Sequence, residues 1–245
     1  MLHHAMRKIS ADFIFYADED NVPYGVKQPE EVVEYVGEAM DFLVRAGADA
    51  IVVACNTATS VAVNAMRSRY DLPIIGMEPA AKKALDLDST HRVLVTATPI
   101  TVRGKKMQML IEKVDKSHLV DSLPLPKLVE FAERQEFTSG AVYDYLAAEL
   151  GKFDLAKYSA LVLGCTHFNY FKDTFRKIMP ENMHFVDGNE GTVNQLMRRL
   201  NLESTEVAAR PKIDCYYSGR KVTSAAELTR INNYLTRLDA MQSLN

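Results

Sequence analysis

Two cysteines, Cys55 and Cys165, each end a short apolar run, and hydrogen-bonding side chains follow each at once. The first run reads AIVVACNTATS, with Asn56 and Thr57 after the thiol; the second reads ALVLGCTHFNY, with Thr166 and His167 after it. A small residue precedes the thiol in both. A free thiol has a pKa of roughly 8.5, and a helix N-terminus or a basic neighbour lowers it toward working pH. Two similar half-sites facing one another would place a thiol on each side of a small ligand. That arrangement suits taking a proton from one face of a carbon and returning one to the other. A lone cysteine ending a strand is more often a small core residue. Two of them in matching polar turns move the balance toward chemistry. Cys215 lacks the polar turn and reads as core.

Other chemistries fit less well. Zinc needs about four ligands, and no Cys-x-x-Cys or His-rich spacing supplies them. A cysteine hydrolase with His167 as the partner base leaves Cys55 unexplained. Further polar segments are candidates to complete a pocket. In ADEDNVPYG (Ala17–Gly25), Pro23 and Gly25 make an irregular loop after a strand, either an anion-facing loop or an ordinary turn. In ATPITV (Ala97–Val102), Thr98 and Thr101 can donate to a carboxylate or simply cap the next helix. Glu133 lies late in a helix among polar neighbours and reads, on its own, as part of a solvated face.

The elements that must position these residues follow from the patterning. Apolar β-rich runs alternate with helical ones, the pattern of parallel α/β architecture. Strands are expected at Asp12–Ala17, Ile51–Ala54, Pro73–Ile75, Val93–Thr96, Leu119–Asp121, Leu161–Gly164, His184–Asp187 and Ile213–Tyr217. Helices are expected from Pro29 to near Gly47 (through Val33, Val36, Met40 and Val44), and at about Ala58–Arg69, Val102–Val114, Lys127–Arg134, Ser139–Leu150, Glu190–Leu200 and Ser224–Leu238. Pro29 with Glu30 and Glu31 suits a first helical turn. Leu2–Ile9 reads as the body of a helix with nothing before it to cap it. The segment GMEP (Gly76–Pro79) looks like a turn into a second unit, and Asp187-Gly188 like the crossing back. The expected domains are therefore 1–78 plus 188–245, and 79–187. Both cysteines fall at strand carboxyl ends, where open parallel sheets bind ligands, each ahead of a helix whose free N–H groups favour anions.

Bulk composition sets the class. The 245 residues can bury a substantial core, and 47% hydrophobic with 25% charged residues is ordinary for a globular chain. A net charge of −3 gives no support for nucleic-acid binding. No apolar run is long enough to span a bilayer, and no signal-peptide order opens the chain. Three cysteines without a closely spaced pair argue against a disulfide framework, so the expected compartment is the cytoplasm with reduced thiols.

With these residues in place, the sequence resembles glutamate racemase, the cofactor-independent family that makes D-glutamate for bacterial peptidoglycan. VVACNTATS and VLGCTH resemble the family's two catalytic segments, and NVPYG, GMEP, ATPITV and YYSG (Tyr216–Gly219) follow in the expected order over nearly the whole chain. The resemblance implies two pseudo-symmetric parallel-sheet α/β domains with the active site in the cleft between them. It implies Cys55 and Cys165 as paired acid/base catalysts, the first deprotonating the D-form and the second the L-form. Tyr24, Gly25, Asn56, Thr57, Thr98, Thr101, Thr166 and His167 would hold the amino acid. His167 would support the nearby thiol, and LPKLVEFAE would place the family's glutamate at Glu133, although Leu125 stands where the family has a cysteine. No cofactor and no metal are implied; glutamate is the implied small-molecule partner, and a homodimer the implied assembly. Neighbouring readings are a racemase of aspartate or a hydantoin, and a catalytically impaired carboxylate-binding homologue. The last follows from a departure: the family opens with a strand ending in Asp-Ser-Gly, whose aspartate assists the first cysteine and whose serine contacts substrate. This sequence starts in the helix that should follow, so residues upstream of Met1 are expected in the functional protein.

Overall fold

The structure is a computed structural model that describes residues 1–77, 80–202 and 211–244. The chain divides into two compact units, Met1–Glu78 with Asn189–Asn232, and Pro79–Gly188 with Asn233–Asn245. Glu78 and Pro79, half of the expected GMEP turn, lie outside the described residues.

The first unit contains α1 (Leu2–Met6), β1 (Phe13–Ala17), α2 (Pro29–Arg45), β2 (Ile51–Val53), α3 (Asn56–Val61), α4 (Val63–Arg69) and β3 (Ile74–Gly76). Helix α1 is shorter than its apolar spacing suggests and has no side-chain cap. Helix α2 starts at Pro29 as expected. Gln28 and Glu31 close a capping box around its first turn, and its end is followed by Gly47 at φ +85°, a conformation that costs glycine little. Its buried stripe is Val32, Val36 and Met40; Val44 is exposed, so the apolar face ends one turn early. The single helix expected at 58–69 is two helices. The first starts at Asn56, because the Cys55 sulfur accepts the Ala58 N–H at 3.5 Å, and the β-branched run Thr57, Thr59, Val61 and Val63 resists one continuous helix. Among the described residues the strands form two sheets, β2–β3 and a second that pairs β1 in parallel with a later strand.

The second unit contains α5 (Ala81–Leu87), β4 (Arg92–Ala97), α6 (Pro99–Arg103), α7 (Lys105–Val114), β5 (Val120–Pro124), α8 (Pro126–Glu133), α9 (Gly140–Leu150), β6 (Tyr158–Leu163), α10 (Lys172–Ile178) and β7 (His184–Val186). The helix expected at 102–114 begins earlier, with Pro99 in its first turn, and is interrupted at Gly104, whose backbone is extended. The short helices α5 and α10 were not among the expected elements. The four strands form one parallel sheet in the order β5-β4-β6-β7. Its central pair, β4 and β6, is buried almost throughout: Val93, Leu94, Val95, Ala160, Leu161 and Val162 are inaccessible to solvent. Continuous apolar runs of this kind are what a parallel sheet covered on both faces demands.

The chain then returns through α11 (Asn189–Leu200), β8 (Ile213–Tyr217), β9 (Arg220–Lys221) and α12 (Ala225–Ala240). Strand β8 pairs β1 in parallel and β9 antiparallel. Ser218 and Gly219, at φ +44° and +80°, make the two-residue turn between β8 and β9, the positive-φ hairpin geometry that matches strand twist. Cys215 is buried on β8 beside Tyr217 and Val222, and burial pushes its thiol pKa up. No helix of the described residues is long and apolar enough to cross a membrane.

Candidate active site

In each unit the polar residues gather at strand carboxyl ends. Strand β2 delivers Cys55 with an extended backbone (φ −133°, ψ 123°), and β6 delivers Cys165 in nearly the same conformation (φ −136°, ψ 136°). The similarity of the two segments in sequence is therefore also a similarity in local geometry. All three cysteines are free thiols.

Around Cys55, the loop after β1 is built on Asp18. Its Oδ2 accepts the Tyr24 hydroxyl at 2.5 Å, and its Oδ1 accepts Asn21 Nδ2 at 2.9 Å and the Ser218 hydroxyl at 3.1 Å. Its carbonyl accepts the N–H of Val22 at 3.2 Å. The loop, with a cis Val22–Pro23 bond, is thus an ordered structure rather than a loose turn. Tyr24 is buried in the cluster that includes Ala58 and the partly buried Cys55. Burial, then the bond to Asp18, raises the Tyr24 pKa, so its hydroxyl stays protonated. Asn56, Thr57 and Gly25 are buried in the same half-site. Among the described residues Asn56 Oδ1 accepts no hydrogen bond although it is shielded from solvent. An unmet buried acceptor costs roughly 1–3 kcal/mol, which a ligand N–H would recover.

In the second unit the sheet order places a reversal between β4 and β6: the chain passes from β4 outward to β5, then returns to the other side as β6. Crevices at such reversals, beyond the carboxyl ends, are where open α/β sheets take ligands. Thr96 pairs with Leu163, so Thr98 and Cys165 leave the sheet side by side. The close approach depends on Gly164. Its N–H donates to Thr96 O at 2.7 Å, and a Cβ there would stand 2.6 Å from the same oxygen. Thr98 occupies the N-cap of α6 but makes no side-chain cap; its hydroxyl donates to the Thr101 hydroxyl at 3.0 Å, and both are buried.

Cys165 does not sit at the start of an α-helix, contrary to expectation. Thr166–Phe171 is a 3₁₀ segment, and α10 begins only at Lys172. With three residues per turn, Phe168 and Phe171 fall on one face, and both are fully buried. The 3₁₀ turn leaves His167 directed at both a thiol and a carboxylate. Its Nδ1 lies 3.8 Å from Cys165 Sγ and its Nε2 lies 2.6 Å from Glu133 Oε1. Glu133 is therefore not on a solvated face; its side chain is 26% exposed and that of His167 29%. Burial opposes the imidazolium charge, but the hydrogen bonds to Cys165 and Glu133 together outweigh it and push the His167 pKa up to about 10. The Tyr170 ring lies edge-on to the imidazole, with centroids 6.3 Å apart.

Every candidate named from the sequence thus lies at the carboxyl end of its own unit's strands or, like Glu133, reaches that end through a hydrogen bond. Sequence reasoning missed Asp18 and Ser218. The signal for Asp18 was present: an aspartate closing a strand six residues before the tyrosine of NVPYG, in the position of an Asx-type turn. Ser218 lies inside the YYSG segment, but nothing local points to its hydroxyl, because its partner is 200 residues away. Among the described residues, no three His, Cys, Asp or Glu side chains converge as a metal would need.

The profile of the Asp/Glu/Hydantoin racemase family matches residues 2–196. The sequence is 49% identical to a glutamate racemase of Campylobacter curvus, over 98% of this chain and 93% of that one. The fold is similar to that of a glutamate racemase of Bacillus anthracis (TM-score 0.81, 22% identity, 96% of this chain and 88% of that one). It is also similar to that of the Escherichia coli glutamate racemase in complex with L-glutamate and an activator (TM-score 0.76, 26% identity, 93% and 85% covered).

Proposed function

The chain belongs to the Asp/Glu/Hydantoin racemase family, and we propose that it interconverts L- and D-glutamate by direct proton transfer between two thiols and the α-carbon, in the cytoplasm, supplying D-glutamate for peptidoglycan. The observation that carries the reading is the pair of matching strand-end turns, each presenting a thiol beside buried or half-buried hydrogen-bonding side chains. In this proposal Cys165 takes the α-proton of L-glutamate as a thiolate, and Cys55, as a thiol, gives a proton to the opposite face. The Cα–H bond breaks to Cys165 Sγ, the Cys55 S–H bond breaks to Cα, and one thiolate remains. The reverse direction exchanges the roles, and no cofactor is consumed.

The surrounding residues suit those steps. The imidazolium favoured at His167 lets Nδ1–H donate to the Cys165 sulfur and stabilise a thiolate there, while Glu133 balances the charge from the other side. Thr101, which accepts the Thr98 hydroxyl, and Thr166 bring hydroxyls suited to carboxylates, and Asn56 Oδ1 offers an unmet acceptor for the ammonium group. Tyr24 and Gly25, held by Asp18, and Thr57 complete the first half-site. Donors fixed in place before reaction stabilise the carbanion-like charge that develops as the proton leaves.

Chiral chromatography of L-glutamate, L-aspartate and a hydantoin incubated with the protein tests the proposal. D-glutamate formation without turnover of the other two is expected. Faster turnover of aspartate or the hydantoin would move the assignment to that branch of the family. Glutamate binding without turnover would make the chain a carboxylate-binding homologue.

A further inference from the structure

We infer that Tyr234 and Arg237, on the last turns of α12, are positioning residues that hold Glu133 and His167 in register behind the Cys165 thiol. The inference rests on the proposed two-thiol reaction. Residues 233–245 belong to the second unit, so these contacts lie within it. On the Glu133 side, the final carbonyls of a helix have no partner inside it. At the end of α8, the Tyr234 hydroxyl donates to Ala132 O at 2.9 Å and reaches Glu133 O at 3.4 Å. Just beyond, Gln135 takes a left-handed backbone (φ 55°), and its side-chain oxygen accepts Asn233 Nδ2 at 3.1 Å.

On the His167 side, Arg237 Nε donates to Tyr170 O at 2.8 Å, three residues after His167, and its guanidinium donates to Asp173 Oδ1 at 2.6 Å. The guanidinium also lies over the Phe137 ring, 5.4 Å from its centroid, and the Arg237 side chain is only 14% exposed. The Tyr170 ring stands between, 5.2 Å from Tyr234 and 6.3 Å from His167. Arg237 follows Tyr234 by three residues and Asn233 by four, so it lies on the helix surface beside each of them. That face grips the backbone behind both members of a 2.6 Å imidazole–carboxylate contact. Such a contact tolerates little displacement: a shift of about 1 Å at a reacting group can cost on the order of 100-fold in rate.

The test is made on the full chain, with Tyr234→Phe, Arg237→Met and Arg237→Lys. Cys165 and Glu133 act on the His167 titration directly; the Tyr170 ring packs edge-on to the imidazole, and the other ionisable groups behind it are Tyr234, Asp173 and Arg237. The readout is the His167 ring titration in ¹⁵N-histidine-labelled, ligand-free protein, assigned by the signal that His167→Gln removes. Tyr234→Phe and Arg237→Met should each lower the His167 midpoint by about one pH unit, equivalent to a ~tenfold weaker hold on the proton. They should move the alkaline limb of the racemisation profile equally, with kcat falling about fivefold at pH 10 while KM stays within about threefold. Arg237→Lys keeps the charge and one donor and should fall between wild type and Arg237→Met. Tyr234→Phe deletes one oxygen and keeps the ring, so it decides the matter if Arg237→Met does not fold. A His167 midpoint unchanged in a folded Tyr234→Phe overturns the inference. Because the titration needs no turnover, a midpoint that moves in a protein that never racemises glutamate supports the inference and refutes the racemase reading instead.

Discussion

Replacing Glu133 by Gln removes a charge while keeping an oxygen within reach of His167 Nε2. The present contact is 2.6 Å, a charge-assisted bond with only 26% of the carboxylate side chain exposed. Bonds of that kind are worth about 1.5–3 kcal/mol, or roughly 1–2 pKa units on the imidazole. From a starting value of about 10, the His167 midpoint in Glu133→Gln should fall to roughly 8–9. The consequence for rate depends on pH. At pH 7 the imidazolium remains almost fully populated, and kcat/KM should drop less than about threefold. At pH 9 the protonated fraction falls to between about one-half and one-tenth, so the loss should reach about twofold to tenfold relative to wild type. L- and D-glutamate have equal free energies in water, so kcat/KM must fall by the same factor in both directions. The lesion on the Cys165 side shows instead in isotope effects. L-[2-²H]glutamate should show a larger primary effect in the variant than D-[2-²H]glutamate, because proton transfer at Cys165 becomes the slow step for it. An alkaline limb that stays where it is, with equal isotope effects from both enantiomers, would refute this role for Glu133.

Three further outcomes follow from the same contacts. The folded His167 value lies above the ordinary 6.5, so its contribution to stability is complete below about pH 6.5 and is lost as pH rises through about 10, by at most ~1.4 kcal/mol per pH unit. Thermal melts of wild type and His167→Gln should therefore differ most at pH 6.5 and converge by pH 10; a constant difference would exclude the charged imidazole. Gly164→Ala places a Cβ 2.6 Å from Thr96 O at the carboxyl end of the sheet's central pair of strands, and should destabilise the protein by roughly 1–3 kcal/mol in urea titrations; an unchanged midpoint would mean the strands part freely. Asp18→Asn loses the carboxylate that gathers Tyr24, Asn21 and Ser218, and should raise KM for glutamate about tenfold with kcat within about threefold; a pure kcat effect would place Asp18 in the chemistry instead.

What the sequence could show was governed by distance along the chain. Val- and Ile-rich runs marked β2, β4 and β6 because a strand buried on both faces needs an unbroken apolar stretch, and the cysteines at two of their ends were legible with them. Pro29 and Gly47 bounded α2 by backbone chemistry that acts locally. The 3₁₀ turn after Cys165 was not legible, since the burial of Phe168 and Phe171 against the second unit's core decides it over helical propensity. The break at Gly104 was a weak signal inside an otherwise helical pattern. Taken alone, Glu133 reads as part of a solvated face because its partner lies 34 positions away, and only the family resemblance marks it; the value of Asp18 appears only when the β8–β9 turn brings Ser218 to it.

The central claim is that two thiols act as separate bases on opposite faces of one α-carbon. Its most direct test is racemisation of L-glutamate in D₂O, followed by mass analysis of the separated enantiomers at early times. The account predicts one deuterium on the α-carbon of every D-glutamate formed, unlabelled residual L-glutamate, and loss of racemisation in both Cys55→Ser and Cys165→Ser. Racemisation at full rate in either serine variant, or D-glutamate that keeps its original proton, would contradict it.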